Sequence, residues 1–136
     1  MHILIIGAAG MVGRQLTAQL LATATLGGDP IDKLTLVDVA LPDRPASRTI
    51  AIETQAADIA APGVAGQLVV SRPEVIFHLA AIVSGEAELD FDKGYAINLD
   101  GSRFLFEAIR QAGRNEPYCP RVVFTSSIAV FGAPFP

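Results

Sequence analysis

Three glycines near the N-terminus, Gly7, Gly10 and Gly13, have a spacing that suits the binding of phosphates. They follow an apolar run at residues 2–6 and precede a helical pattern. Gly7 permits a tight turn off the strand, Gly10 lets the backbone approach a pyrophosphate, and Gly13 lets helix and strand pack closely. Free N–H groups and the positive end of the helix dipole would then face the phosphates. The spacing therefore predicts a dinucleotide-binding turn.

Asp38 follows the second predicted strand, residues 33–37, and could bind the adenosine ribose of such a ligand. The acid expected there lies about 20 residues after the glycines, and the turn at residues 27–30 lengthens the connection. A carboxylate favours the free 2′-hydroxyl of NAD and repels the 2′-phosphate of NADP. Arg14 and Arg44 are the cations that could instead hold that phosphate, and a solvated aspartate is the alternative for Asp38. The pattern favours NAD.

Strand-like and helix-like patterns alternate along the chain, which predicts βαβ units and a parallel sheet covered on both faces. Right-handed crossovers and a crevice at the switch point predict an α/β fold, a Rossmann-type doubly wound sheet of strand order 3-2-1-4-5. The predicted strands are residues 2–6, 33–37, 49–53, 75–78 and 121–125. The predicted helices are residues 11 to about 24, 63–71 and 90 to about 113.

The composition narrows the class of protein. With 136 residues, 51% of them hydrophobic, the chain fits one domain spanning residues 1–136. A net charge of −4 without a Lys/Arg cluster favours small-molecule partners over nucleic acid or membrane. The chain lacks an apolar run of ~20 residues and a signal-peptide pattern, so we expect a cytoplasmic location. Cys119 is the single cysteine, so neither an intrachain disulfide nor a metal site is expected.

Four motifs in order resemble the extended short-chain dehydrogenases/reductases, the NAD-dependent epimerase/dehydratase enzymes. They are GAAGMVG at residues 7–13, HLAA at 78–81, NLDG at 98–101 and VFTSSIAVFG at 123–132. The longer stretches FHLAAIVSGEAE at 77–88 and FTSSIAVFGAPFP at 124–136 resemble the D-erythronate dehydrogenase branch of that family. The resemblance covers essentially the whole chain.

The resemblance implies NAD as the cofactor and assigns residues to it. These residues are Gly7, Gly10, Met11, Val12, Gly13, Asp38, Asp58, Ile59, Leu79, Ala80, Ala81 and Asn98. Asp58 and Ile59 would lie against the adenine. Leu79, Ala80 and Ala81 would line the cofactor near its nicotinamide ribose, where small side chains suit a close approach to the backbone.

Ser127 matches the catalytic serine of the family, whose hydroxyl polarises the substrate's oxygen while hydride passes between carbon and nicotinamide. Ser126 and Ser84 are expected on the substrate side. Hydroxyl residues at the end of a buried strand fit a sheet edge that faces a ligand, although a helix cap is the alternative from sequence alone. Phe131 replaces a tyrosine that many relatives carry, and His78 is expected to be structural.

The proton-transfer pair of the family, Tyr-x-x-x-Lys, is missing, because neither Tyr95 nor Tyr118 has a lysine at the fourth following position. The last strands and the substrate-binding region of extended members are missing too. We therefore expect the chain to be the N-terminal part of a longer enzyme. The part alone should be nearly inactive, since losing an acid/base partner costs about 10²–10⁴-fold.

The expected activity of the parent enzyme is NAD-dependent oxidation of a hydroxyl of a small sugar acid such as D-erythronate. One alternative is a nucleotide-sugar epimerase or dehydratase, which uses the same N-terminal half. Another is a non-catalytic NAD-binding regulatory module, which the missing Tyr-x-x-x-Lys would favour. A methyltransferase would explain the glycines and Asp38 but not the run of hydroxyl residues at 125–127. The resemblance is compatible with a homodimer.

Overall fold

Five parallel strands form the central sheet of the protein, of which the computed structural model describes residues 1–132. Two further short strands pair with each other outside this sheet. In chain order, all the strands of the described residues are β1 (His2–Ile6), β2 (Thr25–Leu26), β3 (Asp29–Pro30), β4 (Lys33–Asp38), β5 (Ala51–Ala56), β6 (Val75–His78) and β7 (Arg121–Phe124). The helices are α1 (Met11–Thr23), α2 (Val64–Val69), α3 (Ser84–Leu89), α4 (Phe91–Tyr95) and α5 (Gly101–Ala112). A π-helical turn, Ala96–Asp100, joins α4 to α5, and a 3-10 turn, Ile128–Phe131, follows β7.

The sheet has the order β5-β4-β1-β6-β7, with β1 at its centre. Ile3 of β1 lies opposite Leu34 of β4 on one side and Val75 of β6 on the other, both in parallel register. Among the strands of this sheet, the order is the predicted 3-2-1-4-5. The predicted Rossmann-type α/β fold is therefore confirmed.

Alternate side chains of β1 enter two apolar clusters, one on each face of the sheet. Ile3 and Ile5 lie in the cluster that α1 covers. Leu4 and Ile6 lie in the cluster that α2 and α5 cover, together with Leu105. All five side chains are at most 1% exposed, and burying each contributes about 1.5–3 kcal/mol. The four consecutive apolar residues of β1, at positions 3–6, thus supply both clusters.

The third predicted strand was placed too early. It was predicted at residues 49–53, whereas β5 runs from Ala51 to Ala56. Its bounds are set by pairing with β4, where Lys33 lies opposite Ala51 and Asp38 opposite Ala56. Pairing with a distant strand carries no local sequence signal, so the pattern alone gave the wrong ends. The other predicted strands and the first two helices agree to within a residue or two.

A short hairpin and a short helix were not predicted. The glycine-containing segment predicted only to end α1 forms the antiparallel hairpin β2–β3, with Thr25 opposite Pro30. Gly27 and Gly28 make its turn at φ of +64° and +93°, which glycine adopts without strain. Helix α3 lies in the stretch after β6, where no helix was predicted.

The long helix predicted at residues 90–113 is helical from Phe91 to Ala112 but not uniform. Its middle turn is a π-helix, in which the N–H of Gly101 donates to the carbonyl of Ala96. In a π-helical turn each hydrogen bond spans one residue more than in an α-helix, and such turns often lie at functional sites. Because the apolar spacing of the segment is α-helical, the pattern did not predict the extra residue.

Within residues 1–132, no helix is both long and apolar enough to cross a membrane.

Candidate functional site

The glycine turn between β1 and α1 is packed too tightly for side chains at two of its three glycines. A Cβ on Gly7, at φ +92°, would lie 2.7 Å from the backbone nitrogen of Ala80. A Cβ on Gly13 would lie 2.7 Å from the Cα of Ala8 and closer still to the carbonyl oxygen of Gly7. At exposed Gly10 the nearest atom is the Gly7 oxygen, 3.3 Å away. Gly10 is therefore the least crowded of the three glycines, and it is exposed.

Helix α1 begins at this turn without a side-chain cap. Its first intrahelical hydrogen bond is donated by Arg14 to the carbonyl of Gly10, at 3.0 Å. The N–H groups of Met11, Val12 and Gly13 precede that bond, in the positions where a helix leaves donors for a ligand. With the helix dipole behind them, these donors suit a phosphate.

Asp38, at the end of β4, is bonded to the glycine turn itself. Its Oδ2 accepts from the N–H of Ala9 at 2.9 Å, and its Oδ1 accepts from the N–H of Val39 at 2.7 Å. The preceding carbonyl, of Val37, accepts from the N–H groups of Gly7 and Ala8 at 2.8 and 3.0 Å. The end of β4 thus holds the turn in place, a role that the sequence analysis did not predict for Asp38.

A cleft of about 380 Å³ opens between the glycine turn, the end of β4 and the segment after β6. It lies at the carboxyl ends of the strands, beside the central strand, where ligands bind in sheets of this kind. Eight of the predicted cofactor residues line it: Gly7, Gly10, Asp38, Asp58, Ile59, Leu79, Ala80 and Ala81. Val39, Ile82 and Ile97 line it as well and were not predicted. The apolar wall of the cleft suits a base, and its Asp38 rim suits a ribose.

The other predicted cofactor residues do not line this cleft. Met11 and Val12 are 75% and 52% exposed at the start of α1, where the backbone rather than the side chain faces the turn. Gly13 is buried inside the turn.

Asn98 lies in the π-helical turn and binds the backbone of the cleft wall instead of lining it. Its Oδ1 accepts from the N–H of Ile82 and its Nδ2 donates to the carbonyl of Ile82, both at 3.0 Å. A side-chain amide that pairs with both backbone groups of one residue fixes that residue's position. Asn98 therefore acts on the cleft through Ile82.

The predicted serine segment follows β7 at the same edge of the sheet. The N–H of Thr125 donates to the carbonyl of His78 at 3.4 Å, which ties the segment to the end of β6. Ser126 and Ser127 are exposed. Ser84 is the first residue of α3, but its side chain lies outside the described part of the chain, as do residues 133–136 of the last motif.

The site fits an extended dinucleotide on three independent observations. Gly10 is exposed and has no side chain to cover the turn. Backbone N–H donors lie at the start of α1, and the Asp38 carboxylate and apolar residues line the cleft. A model of the NAD dependent epimerase/dehydratase family matches residues 3–136. The chain belongs to that family. The predicted family and its cofactor, NAD, are thereby confirmed.

Named relatives within the family include both dehydrogenases and epimerases. Over its whole length the chain is 44% identical to D-erythronate dehydrogenase of Cupriavidus necator, of which it covers 41%. It is 66% identical to a solved nucleoside-diphosphate-sugar epimerase from Agrobacterium tumefaciens, with a TM-score of 0.95, covering all of this chain and 40% of that one. The chain thus spans about two fifths of these relatives.

A third relative carries ligands. The structure of MoeE5 in complex with UDP-glucuronic acid and NAD is 26% identical, with a TM-score of 0.73 over 97% of this chain and 38% of that chain. A structural neighbour with this fold therefore binds NAD together with UDP-glucuronic acid.

Proposed function

We propose that residues 1–136 are the NAD-binding domain of a dehydrogenase that oxidises a hydroxyl of a small sugar acid such as D-erythronate. The observation that carries this proposal is the cleft that gathers the glycine turn, Asp38 and the Leu79–Ala81 wall in one place. The 44% identity to a D-erythronate dehydrogenase over the whole chain supports the choice of substrate.

In this proposal each part of the cleft binds one part of NAD. The N–H groups at the start of α1 hold the pyrophosphate, and Asp38 accepts hydrogen bonds from the adenosine ribose. Asp58 and Ile59 lie against the adenine. Ile59 is only 3% exposed, so it offers a rigid apolar surface, and the Asp58 carboxylate is held by the N–H of Ala60 at 2.9 Å.

The chemistry that NAD supplies when bound is the acceptance of a hydride. Ser127 would hydrogen-bond the substrate's oxygen and orient the carbon that gives up hydride, with Ser126 and Ser84 on the substrate side. The hydroxyl proton must pass to a base as the carbonyl forms. In our proposal that base is the tyrosine of a Tyr-x-x-x-Lys pair from outside residues 1–136, so these residues alone bind NAD but turn over poorly.

The setting of the enzyme belongs to the same proposal. The proposed location is the cytoplasm. The net charge of −4 supports a small-molecule substrate rather than a nucleic-acid or membrane partner. The homodimer stays a prediction.

A nucleotide-sugar epimerase is the second candidate. It is favoured by the 66% identity to a structure described as a nucleoside-diphosphate-sugar epimerase. Both activities need the same NAD cleft, so the two candidates differ in the substrate and in whether NADH accumulates.

The deciding experiment measures NADH absorbance when the full-length protein meets NAD and D-erythronate. We expect NADH to accumulate, and we expect Ser127→Ala to lower turnover by about 10²-fold with little change in NAD affinity. Ser71→Ala, which changes an exposed serine on another part of the surface, is the matched control. No NADH with D-erythronate, together with interconversion of UDP-sugars, would establish the epimerase instead.

A further inference from the structure

His78 lies where β6 ends and where two parts of the site, the cleft wall and the serine segment, are attached to the sheet. It ends β6, the cleft wall starts at the next residue, and its carbonyl accepts from Thr125 at the start of the serine segment. Its ring is fully buried and packs against Phe124, with the ring centres 5.6 Å apart. Its Nε2 lies 2.9 Å from the hydroxyl oxygen of Ser102, in α5. Its Nδ1 has no hydrogen-bond partner within residues 1–132.

The Ser102 hydroxyl fixes the direction of this bond. It has one proton, and it lies 3.2 Å from the carbonyl oxygen of Asn98, which can only accept. When the hydroxyl donates to Asn98, it must accept from an N–H at Nε2 of His78. The proton then sits on Nε2, and the unpartnered Nδ1 buries a lone pair rather than a donor. In this arrangement the Nε2 proton of His78 and the hydroxyl proton of Ser102 each have an acceptor, and the Nδ1 lone pair has no donor.

Asn98 connects the same chain of hydrogen bonds to the cleft. Its backbone carbonyl accepts from the Ser102 hydroxyl. Its side-chain amide accepts from the N–H of Ile82 and donates to the carbonyl of Ile82. Ile82 is the last of four consecutive residues, 79–82, that line the cleft. His78 also precedes these residues directly, and the N–H of Leu79 is bonded to Ile6 at 2.8 Å. The wall is therefore held at its start by the sheet and at its end by Asn98.

We propose that His78 and Ser102 are positioning residues that, through Asn98, hold the 79–82 wall in the shape that binds the dinucleotide. Neither His78 nor Ser102 lines the cleft. It fixes the Asn98 carbonyl in the π-helical turn, where the α-helical hydrogen-bond pattern is interrupted, and so aims the Asn98 amide at Ile82. The part of this proposal that concerns affinity rests on the proposed binding of NAD in the cleft.

The test compares Ser102→Ala with Ser102→Thr in the full-length protein. Hydrogen–deuterium exchange is followed in the ligand-free protein, in peptides covering residues 79–83. Ser102→Ala should speed exchange of the Ile82 amide roughly 3- to 10-fold and weaken NAD binding by a similar factor, as expected for losing one hydrogen bond. Ser102→Thr, which keeps the hydroxyl and its bond to the carbonyl four residues earlier, should restore both.

His78 is tested with two amides of different reach. In His78→Gln the amide nitrogen occupies the place of Nε2 and can donate to Ser102, whereas in His78→Asn it occupies the place of Nδ1 and cannot. We expect faster Ile82 exchange in the Asn variant than in the Gln variant. Both variants lose the ring and differ by one methylene group, so their comparison is read together with Ser102→Ala, which leaves the ring in place.

Unchanged Ile82 exchange in Ser102→Ala would overturn the proposal, as would equal exchange in the Gln and Asn variants. Neither result depends on NAD. Failure of the unaltered protein to bind NAD would instead overturn the proposed function while leaving the exchange measurements valid. The two proposals can therefore fail separately.

Discussion

At the scale of single residues, Asp38 stabilises the glycine turn by hydrogen bonds in addition to its predicted contact with a ribose. Its position at the end of the second predicted strand predicted a ribose ligand, and the structure places it on the rim of the cleft. Its carboxylate also accepts the N–H groups of Ala9 and Val39. Removing the side chain would leave those donors without their acceptor, so a useful variant must change the charge and keep an oxygen.

Asp38→Asn is that variant. It keeps one oxygen that can accept from Ala9 while removing the negative charge that repels the 2′-phosphate of NADP. We expect the preference for NAD over NADP to fall at least about tenfold, since like-charge repulsion is worth several kcal/mol. Titration of both cofactors measures the ratio. Asp43→Asn, an exposed carboxylate on the following loop that does not line the cleft, should keep the original ratio. An unchanged ratio in Asp38→Asn would show that this carboxylate does not select the cofactor.

At the scale of elements, the three glycines of the turn differ in how closely other atoms surround them. Gly7 and Gly13 are needed because backbone atoms fill the space where a Cβ would stand. Gly10 has φ −69°, which any residue adopts, and it is exposed. Close packing therefore requires glycine at Gly7 and Gly13, whereas at the exposed Gly10 the binding of a ligand is the proposed reason for glycine.

Gly10→Ala and Gly13→Ala should separate these tasks. Gly13→Ala should lower the free energy of unfolding by about 1–3 kcal/mol or more, because its methyl group would overlap backbone that cannot move aside. Gly10→Ala should leave the fold nearly intact and weaken NAD binding, because the methyl group stands where the pyrophosphate approaches. Thermal unfolding and NAD titration of both variants are the measurements. Full NAD affinity in a folded Gly10→Ala protein would contradict the phosphate-binding turn.

At the scale of the whole molecule, the buried His78 and the half-buried His2 make stability depend on pH. Burial lowers the pKa of His78 below its usual 6.5, and burial with the nearby Lys33 lowers the pKa of His2. Below pH 6.5 the unfolded chain therefore binds protons that the folded chain does not. This contribution to stability is complete above pH 6.5 and is lost as the pH falls toward the lowered pKa values of the folded protein.

The free energy of unfolding should accordingly decrease as the pH is lowered from 7 toward 5. Chemical denaturation at a series of pH values measures it. The decrease should be smaller in His78→Gln, which cannot take up the proton, than in the unaltered protein. His2→Gln is the companion variant, and it should remove the separate part that His2 contributes. Equal pH dependence in all three proteins would mean that neither histidine is held neutral by the fold.

Much of the site could be predicted from the sequence because its chemistry is local. The glycines, the apolar run of β1 and the carboxylate at the end of β4 are each recognisable within a short stretch of sequence. The family resemblance supplied the other predicted cofactor residues, and eight of the predicted set meet in the cleft. The Ile82 and Ile97 contacts to the cleft were missed, because isolated isoleucines give no signal that distinguishes a ligand wall from ordinary core packing.

By itself, the sequence determined the strand order, the position of the glycine turn and the family, since alternating apolar patterns and short motifs carry that information. Only the tertiary structure decided where β5 begins, that Asp38 holds the turn, and that Asn98 reaches the cleft through Ile82. The reason is physical. Each of these features is a hydrogen bond between residues distant in the chain, and such a bond depends on where two backbones meet in space rather than on the residue types along either one.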